Sequence, residues 1–182
     1  AEAAVRVPHP YNFLDGVLIM EMIDDANGNA APRLNDLELA PETAREYYGF
    51  LIGQVVRMLC VGIVHGDLSE YNVLVDRDGP VIIDLPQAVD AAGNNSAKEM
   101  LERDVDNLKN YFGQFAPELL TTDYGKEIWK VYESGDLTPE VALTGKFERP
   151  KSTPDVRAVM REIDDVVKEE EARRRHKAMM DS

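Results

Sequence analysis

The sequence predicts a mainly helical α+β fold, and three observations support this class. Apolar residues recur at helical spacing from Pro41 to Gly62. Residues 73–83 hold two β-branched runs on either side of a turn signal, and residues 5–23 read as a shorter hairpin. With 182 residues, 44% of them hydrophobic, the chain can bury one sizeable core, so we expect one globular domain.

Charge and composition exclude several classes of function. The net charge of -14 and the pI near 4.6 argue against duplex DNA binding, because neutralising phosphates requires clustered Lys and Arg. Cys60 is the single cysteine, so no disulfide forms within the chain and a reducing, cytoplasmic compartment is expected. The apolar runs are too short to span a membrane, and no signal peptide opens the sequence.

The first hairpin occupies residues 5–23. Its turn signal is Asp15-Gly16, and the apolar run from Val17 to Met20 reads as a buried strand. Residues 24–29 are polar and rich in turn formers, so they predict a solvent-exposed connection.

The segment from Pro41 to Gly62 is the clearest helix. Proline suits a first turn, Glu42 favours the amino end, and Gly62 is the expected stop. The apolar stripe consists of Tyr48, Leu51, Ile52, Val55, Val56 and Leu59.

Helical spacing returns later in the chain. In the last of these segments, glutamates at 169–171 precede arginines at 173–175 by four residues, which stabilises a helix. This pattern favours a solvated helix held by its own charges over a basic binding patch. The predicted segments are Ala97 to Phe115, Tyr124 to Ser134, Pro139 to Leu143 and Asp155 to Met180.

The second hairpin places two polar residues at its open end. The runs at 73–75 and 81–83 are joined by the turn-forming segment 76–80. Asn72 and Asp84 are equidistant from Asp78, so a turn centred near that residue sets them beside each other.

Asp67 precedes Asn72 by a loop of four residues and can reach the same point as Asp84. Amide and carboxylate oxygens suit Mg²⁺, and a further aspartate can orient an attacking hydroxyl, so the set is typical of phosphoryl transfer. His65 is expected to support the loop rather than to titrate. The alternative is an ordinary hairpin with turn-forming Asp and Asn, but the combined spacing favours an active site.

The sequence around Asp67, Asn72 and Asp84 resembles that of one known family. The sequences HGDLSEYN and IDLPQAV are similar to the catalytic and metal-binding loops of the RIO family of atypical serine kinases, which have a protein-kinase-like fold. The likeness extends from VLIMEMI to the terminal helix, and the DLPQ wording is closest to bacterial members. It implies the mainly helical carboxyl lobe of that fold, with a catalytic-loop hairpin and a short hairpin from the amino lobe.

The resemblance also implies ATP and either Mg²⁺ or Mn²⁺ as cofactors. Asp67 is then the catalytic aspartate, Asn72 and Asp84 hold the metal, and Asp84 is also a candidate to accept phosphate as an aspartyl-phosphate, which would make the protein an ATPase switch. The implied adenine pocket has Met20 as gatekeeper, the backbone of Glu21 and Ile23 on the base edge, and Leu74 and Ile83 beneath the base.

Departures from ordinary protein kinases are visible in the same region. Gly66 replaces the arginine of H-R-D, and Leu85-Pro86 replaces Phe-Gly after the metal-binding aspartate. Nineteen residues (85–103) separate Asp84 from Asp104, too few for an activation segment, so no peptide-docking platform is expected. Asp104 is a candidate to anchor the catalytic-loop backbone, with an exposed helical carboxylate as the alternative.

Two features of nucleotide-binding lobes do not occur in the sequence. There is no G-x-G-x-x-G phosphate-binding loop. There is also no lysine on a strand before the catalytic loop, because Lys98 is the first lysine of the sequence. We therefore expect residues 1–23 to be the last strands of the amino lobe and the hinge, and residues 24–182 to be the carboxyl lobe. The chain alone is expected to bind ATP weakly and to turn over little.

Two other functions remain open. Small-molecule phosphotransferases of the aminoglycoside and choline type also use H-G-D-x₄-N, although here the interval is Leu68-Ser69-Glu70-Tyr71 and residues 97–182 are short for a substrate lobe. The hypothesis of a non-catalytic assembly module is less favoured, because Asp67, Asn72 and Asp84 are all present. Family likeness implies a protein substrate or a ribosome-assembly partner.

Overall fold

Three α-helices, supported by short strands, form the structure, a computed structural model that describes residues 3–147. The predicted α+β class is confirmed. The helices are α1 (Pro41–Cys60), α2 (Ala97–Phe112) and α3 (Tyr124–Glu133). The strands are β1 (Pro10–Leu14), β2 (Val17–Met20), β3 (Ile63–Val64), β4 (Val73–Asp76), β5 (Gly79–Ile82) and β6 (Val89–Asp90). Short 3₁₀ turns cover Leu34–Asp36, Glu70–Asn72, Leu85–Gln87 and Pro117–Thr121.

The strands pair as three antiparallel ribbons: β1 with β2, β3 with β6, and β4 with β5. The β3–β6 ribbon joins the segment before the predicted catalytic loop to the segment after the predicted metal-binding loop. It therefore fixes the two loops relative to each other.

Helix α1 supplies the centre of the core. Its predicted stripe is buried, because residues at helical spacing share one face. The Tyr48 ring packs against Phe112 of α2, with ring centroids 5.8 Å apart. The helix ends at Cys60, and Gly62 follows with a φ of 77°, a left-handed conformation that suits a glycine after a helix.

Helix α2 is shorter than predicted. It ends at Phe112 rather than Phe115, and Gly113 follows as its cap. A Cβ at Gly113 would lie 2.4 Å from Leu120 Cδ2, so the chain after the helix packs closely against this glycine. Residues 113–115, predicted to be helical, form hydrogen-bonded turns, and the regular α-helix does not continue through them.

The prediction of a helix from Pro139 to Leu143 is wrong. This segment is a turn followed by irregular chain. The next backbone N–H groups, those of Thr144 and Gly145, donate to the carboxylate of Glu127 at 2.8 and 2.7 Å. Five residues are too few for a stable helix when their continuation bonds to another element.

The prediction that Val17 to Met20 form a buried strand is also wrong. All residues of β1 and β2 are exposed, with Phe13 at 68% and Ile19 at 51%. The run is apolar, but no other element of residues 3–147 covers it.

The remaining sequence predictions concern larger units. The described residues, 3–147, group as one compact unit, and the predicted division at residue 23 remains a prediction. The predicted helix from Asp155 to Met180 lies outside the described residues. Within residues 3–147, no helix combines the length and apolarity needed to cross a membrane.

Candidate active site

The β4–β5 hairpin sets the position of Asn72. Asp76 pairs with Gly79, so the turn consists of residues 77–78 and is centred half a residue from the predicted position. The shift places Asn72 opposite Ile83, whose N–H donates to the Asn72 carbonyl at 3.0 Å. The metal-binding candidate on the other strand therefore lies one residue beyond the direct pair.

That candidate, Asp84, has a left-handed backbone with φ 66° and ψ 52°. Such a conformation is uncommon for a residue other than glycine and concentrates at functional sites. It ends the extended run after β5 and begins the short turn Leu85–Gln87. The change of direction brings Asp84 to the same cavity as Asn72.

Helix α2 holds the loop on which Asp67 lies. The Asp104 carboxylate accepts hydrogen bonds from the Gly66 N–H at 2.8 Å and from the Leu68 N–H at 3.0 Å. Arg103 donates to the Gly66 carbonyl, and Asn107 Nδ2 donates to the Leu68 carbonyl at 3.1 Å. The prediction that Asp104 anchors the catalytic-loop backbone is thereby confirmed.

Asp104 is only 2% exposed. Burial raises the pKa of this carboxyl above 3.8, while the N–H groups of Gly66 and Leu68 and the charge of Arg103 act in the opposite direction. The two N–H donors are what make a buried carboxylate tolerable at this position.

His65 supports the same loop, as predicted. It is 1% exposed, its Nε2 lies 3.0 Å from the Ile83 carbonyl oxygen, and its Nδ1 lies 3.3 Å from the Asp67 nitrogen. A neutral ring with its proton on Nε2 satisfies both contacts, because Nε2–H then donates and Nδ1 accepts. The histidine therefore links the catalytic loop to the end of β5.

Two amides contact the Asp67 carboxylate. Asn72 Nδ2 donates to the Asp67 carbonyl at 2.8 Å and to Oδ2 at 3.4 Å, and Gln87 Nε2 donates to the same Oδ2 at 3.4 Å. Among the described residues no group donates to Asp67 Oδ1 or to Asn72 Oδ1. These two oxygens are therefore available to other ligands.

A cavity of about 290 Å³ opens beside this loop. It contains every residue predicted to bind adenine or metal, whereas Asp67 is not part of its lining. The roles assigned to these side chains remain predictions. The lining residues are Pro8, Met20, Glu21, Ile23, Arg33, Asn72, Leu74, Ile83 and Asp84.

The backbone at residues 21–23, predicted to contact adenine, has two polar groups without a backbone partner among residues 3–147. The Glu21 N–H donates to His9, and the Ile23 carbonyl accepts from Ala31. Within the described residues, the Glu21 carbonyl and the Ile23 N–H make no backbone hydrogen bond. One acceptor and one donor two residues apart are thus left for a ligand in the cavity.

The polar groups also suit magnesium. Residues 3–147 contain no group of three or more His, Cys, Asp or Glu side chains that could hold a metal. Mg²⁺ does not need such a cluster, because it commonly binds one or two protein oxygens together with phosphate and water. The Asp84 carboxylate and the Asn72 amide oxygen match this requirement.

Sequence reasoning missed two polar residues that line the cavity or contact Asp67. Arg33 lines the cavity, and none of the described acidic groups lies within 4.0 Å of its guanidinium. Its backbone is held by a bridge to Leu74. Gln87 contacts Asp67 across 20 residues of sequence. Neither has a spacing that marks it in the sequence alone.

Comparison with known proteins identifies the family. Residues 1–125 match the model of the RIO domain. The chain is 36% identical over 137 residues to RIO-type serine/threonine-protein kinase Rio1 of Haloferax volcanii and 41% identical over 110 residues to the protein of that name from Thermoplasma acidophilum. It is 31% identical over 141 residues to serine/threonine-protein kinase RIO1 of Homo sapiens.

These matches cover 69%, 60% and 76% of this chain respectively. They cover 44% and 55% of the two archaeal relatives and 24% of the human one. The chain thus spans about half or less of the length of these relatives. The three are archaeal and eukaryotic, and the likeness to bacterial members remains a prediction. With most of its length matched by the family model, the chain belongs to the RIO domain family.

Proposed function

We propose that this chain is the carboxyl-lobe portion of an ATP- and Mg²⁺-dependent RIO-type serine/threonine protein kinase or ATPase. The observation that carries the proposal is the cavity that unites Glu21 and Ile23 with Asn72 and Asp84. An acceptor and a donor suited to adenine and two oxygen ligands suited to a metal line this one space. The relatives named as serine/threonine kinases support the same reaction class.

In the kinase reaction, Asp67 accepts the proton of the attacking serine hydroxyl through Oδ1. The hydroxyl oxygen bonds to the γ-phosphorus, the bond from that phosphorus to the β–γ bridging oxygen breaks, and ADP leaves. Bound Mg²⁺ supplies neutralisation of the phosphate charge. Asp104 and His65 keep the catalytic loop in place during this exchange.

In the ATPase reaction, an Asp84 carboxylate oxygen attacks the γ-phosphorus and releases ADP. The resulting aspartyl-phosphate is then hydrolysed by water, which restores the carboxylate and yields phosphate. Exposure of Asp84 beside the cavity supports this route. Mn²⁺ is an alternative metal. The proposed macromolecular partner is a protein substrate or a ribosome-assembly partner.

The test uses the full-length protein with γ-labelled ATP. Asp67→Ala should lower phosphoryl transfer by about 100-fold or more, because the positioned base is lost. Asp78→Asn is the matched control, since this aspartate is 69% exposed at the other end of the hairpin. Transfer by Asp67→Ala at the rate of the unaltered protein would contradict the proposal.

The same labelled protein separates the two routes. Label that hydroxylamine releases, and that Asp84→Asn does not acquire, supports the aspartyl-phosphate. Stable label on a serine supports the kinase. Transfer of label to an aminoglycoside or to choline would instead favour a small-molecule phosphotransferase.

The 182-residue chain by itself should bind Mg²⁺ and ATP weakly and turn over little. Residues that clamp the phosphates from above, a glycine-rich loop and a strand lysine, do not occur in it. Titration calorimetry and single-turnover assays of this chain and of the full-length protein measure the difference. Equal activity of the two would show that the amino lobe is not needed.

A further inference from the structure

Gln87 ends the short turn that follows the metal-binding candidate Asp84, and its side chain reaches back to the catalytic loop. Its Nε2 lies 3.4 Å from Asp67 Oδ2. We infer that Gln87 is a positioning residue for Asp67, which it orients by donating to one carboxylate oxygen. This inference rests on the proposed function, in which Asp67 receives the proton.

The backbone on the amino side of Gln87 is fastened to the catalytic loop. His65 Nε2 lies 3.0 Å from the Ile83 carbonyl oxygen. Gly66 adopts a φ of 82°, and a Cβ at this residue would lie only 3.0 Å from the Gln87 carbonyl oxygen. Glycine is therefore required at position 66 both by its backbone conformation and by the close approach of residue 87.

The backbone on the carboxyl side is fastened as well. Val64 pairs with Val89 in the β3–β6 ribbon, and the Ala91 N–H donates to the Gly62 carbonyl at 2.8 Å. Contacts at residues 83 and 89 thus bracket Gln87 on both sides. An exposed glutamine whose backbone is held in this way can keep a side-chain contact that a free loop could not.

The arrangement distinguishes the two oxygens of Asp67. Asn72 Nδ2 and Gln87 Nε2 both donate to Oδ2, and none of the described groups donates to Oδ1. Two donors on one oxygen limit rotation of the carboxylate and leave Oδ1 as the acceptor for the substrate hydroxyl. Each contact is long, so the expected contribution of Gln87 to the rate is modest.

The kinetic test compares variants of Gln87 in the full-length protein. Gln87→Met keeps the length of the side chain without a donor and should lower kcat by about 3- to 10-fold, with KM for ATP changed less than about twofold. Gln87→Glu should lower kcat further, because a second carboxylate then faces Asp67. Gln87→Lys restores a donor and should recover kcat above that of Gln87→Met.

Gln114→Met and Gln114→Glu are the matched controls, since Gln114 is also exposed and lies outside the site. A purely structural role of Gln87 predicts equal loss in the Met and Glu variants, or a loss confined to thermal stability. Unchanged kcat in all three Gln87 variants would overturn the inference. Inactivity of the unaltered protein would instead reject the proposed function.

A second measurement does not depend on activity. In the nitrogen-15 NMR spectrum of the 182-residue chain, Asp67→Asn should shift the side-chain amide signal of Gln87, because the charged acceptor is removed. The side-chain amide signal of Gln114 should stay in place. An unmoved Gln87 signal would show that the contact does not exist in solution and would also overturn the inference.

Discussion

Asp104 shows how one side chain can shape the loop of another. Its two carboxylate oxygens each accept a backbone N–H, from Gly66 and from Leu68, on either side of Asp67. A carboxylate can accept two such bonds at once, whereas an amide side chain offers only one acceptor oxygen. The conformation of the catalytic loop therefore depends on a residue 37 positions away in α2.

Asp104→Ala should reduce the free energy of unfolding by about 2–4 kcal/mol, because two buried N–H groups lose their acceptor. Asp106→Ala is the control on the same helix, and it should change stability by less than about 0.5 kcal/mol because the Asp106 side chain is exposed. Urea unfolding measures both. A neutral Asp104→Ala would contradict the anchoring role.

Arg33 is the second residue for which the site makes a specific prediction. Because it is a cation in a cavity proposed to take ATP, Arg33→Gln should weaken ATP binding by about 3- to 10-fold and leave adenosine binding within about twofold. Arg77→Gln, at an exposed turn residue, is the control. Titration calorimetry with the two ligands distinguishes the outcomes, and equal loss for adenosine would indicate a packing role instead.

Sequence reasoning succeeded for site residues that belong to a spaced pattern. The intervals among His65, Asp67 and Asn72 can be read directly, and the hairpin turn indicates where Asp84 lies. Arg33 and Gln87 were not predicted as site residues, because their place in the site depends on contacts between distant segments of the chain. An exposed arginine or glutamine in a loop has no local signal.

At the scale of elements, the segment before β1 is attached to the β4–β5 hairpin by Arg6. The Arg6 guanidinium donates to both Asp76 carboxylate oxygens at 2.8 and 2.7 Å and to the Gly79 carbonyl at 2.8 Å. The Ile82 N–H donates to the Arg6 carbonyl at 3.0 Å. This attachment positions Pro8, which lines the cavity.

The attachment should make stability depend on pH. Burial opposes ionisation of Asp76, but the hydrogen bonds and charge of Arg6 outweigh it and lower the pKa below 3.8. The folded state therefore binds this proton less tightly than the unfolded state. The stabilisation is present above pH 3.8 and is lost as the pH falls through the folded-state pKa.

Arg6→Met should therefore cost about 1–2 kcal/mol at pH 7, and the difference from the unaltered chain should shrink below pH 3.8. Arg77→Met, whose partner Asp78 is exposed, should show neither effect. Urea unfolding at a series of pH values gives the comparison. A cost that stays constant with pH would mean that Arg6 acts through packing alone.

The predicted elements succeeded where local signals determine the structure. Pro41 and Gly62 mark the ends of α1, and the turn formers at 76–80 mark the β4–β5 hairpin. The predictions failed where contacts with distant residues determine the local structure. Gly113 packs closely against Leu120 after α2, and the Glu127 carboxylate accepts hydrogen bonds from the backbone N–H groups of residues 144 and 145. Helical spacing in the sequence was therefore not sufficient to predict the end of α2 or the structure of residues 139–143.

For the whole molecule, the β1–β2 hairpin differs from the rest of the described chain. The core consists of Leu34 and of residues from α1, α2, α3 and the segments between these helices, and it includes no residue of β1 or β2. An apolar run such as Val17 to Met20 indicates that a strand is covered in some context, but it does not identify the covering element. The sequence could therefore predict the strand and not its exposure.

This difference gives opposite expectations for two leucines. Leu18 is 47% exposed in β2, so Leu18→Ser should change the free energy of unfolding of this chain by less than about 0.5 kcal/mol and reduce binding of an apolar dye. Leu108 is fully buried in α2, so Leu108→Ala should cost about 2–5 kcal/mol, because it removes packed methyl groups and leaves a cavity. Urea unfolding and dye fluorescence measure the two effects. If Leu18→Ser destabilised the chain as much as Leu108→Ala, the hairpin would have to pack against the core, and its apolar surface would not be free to contact other chain segments.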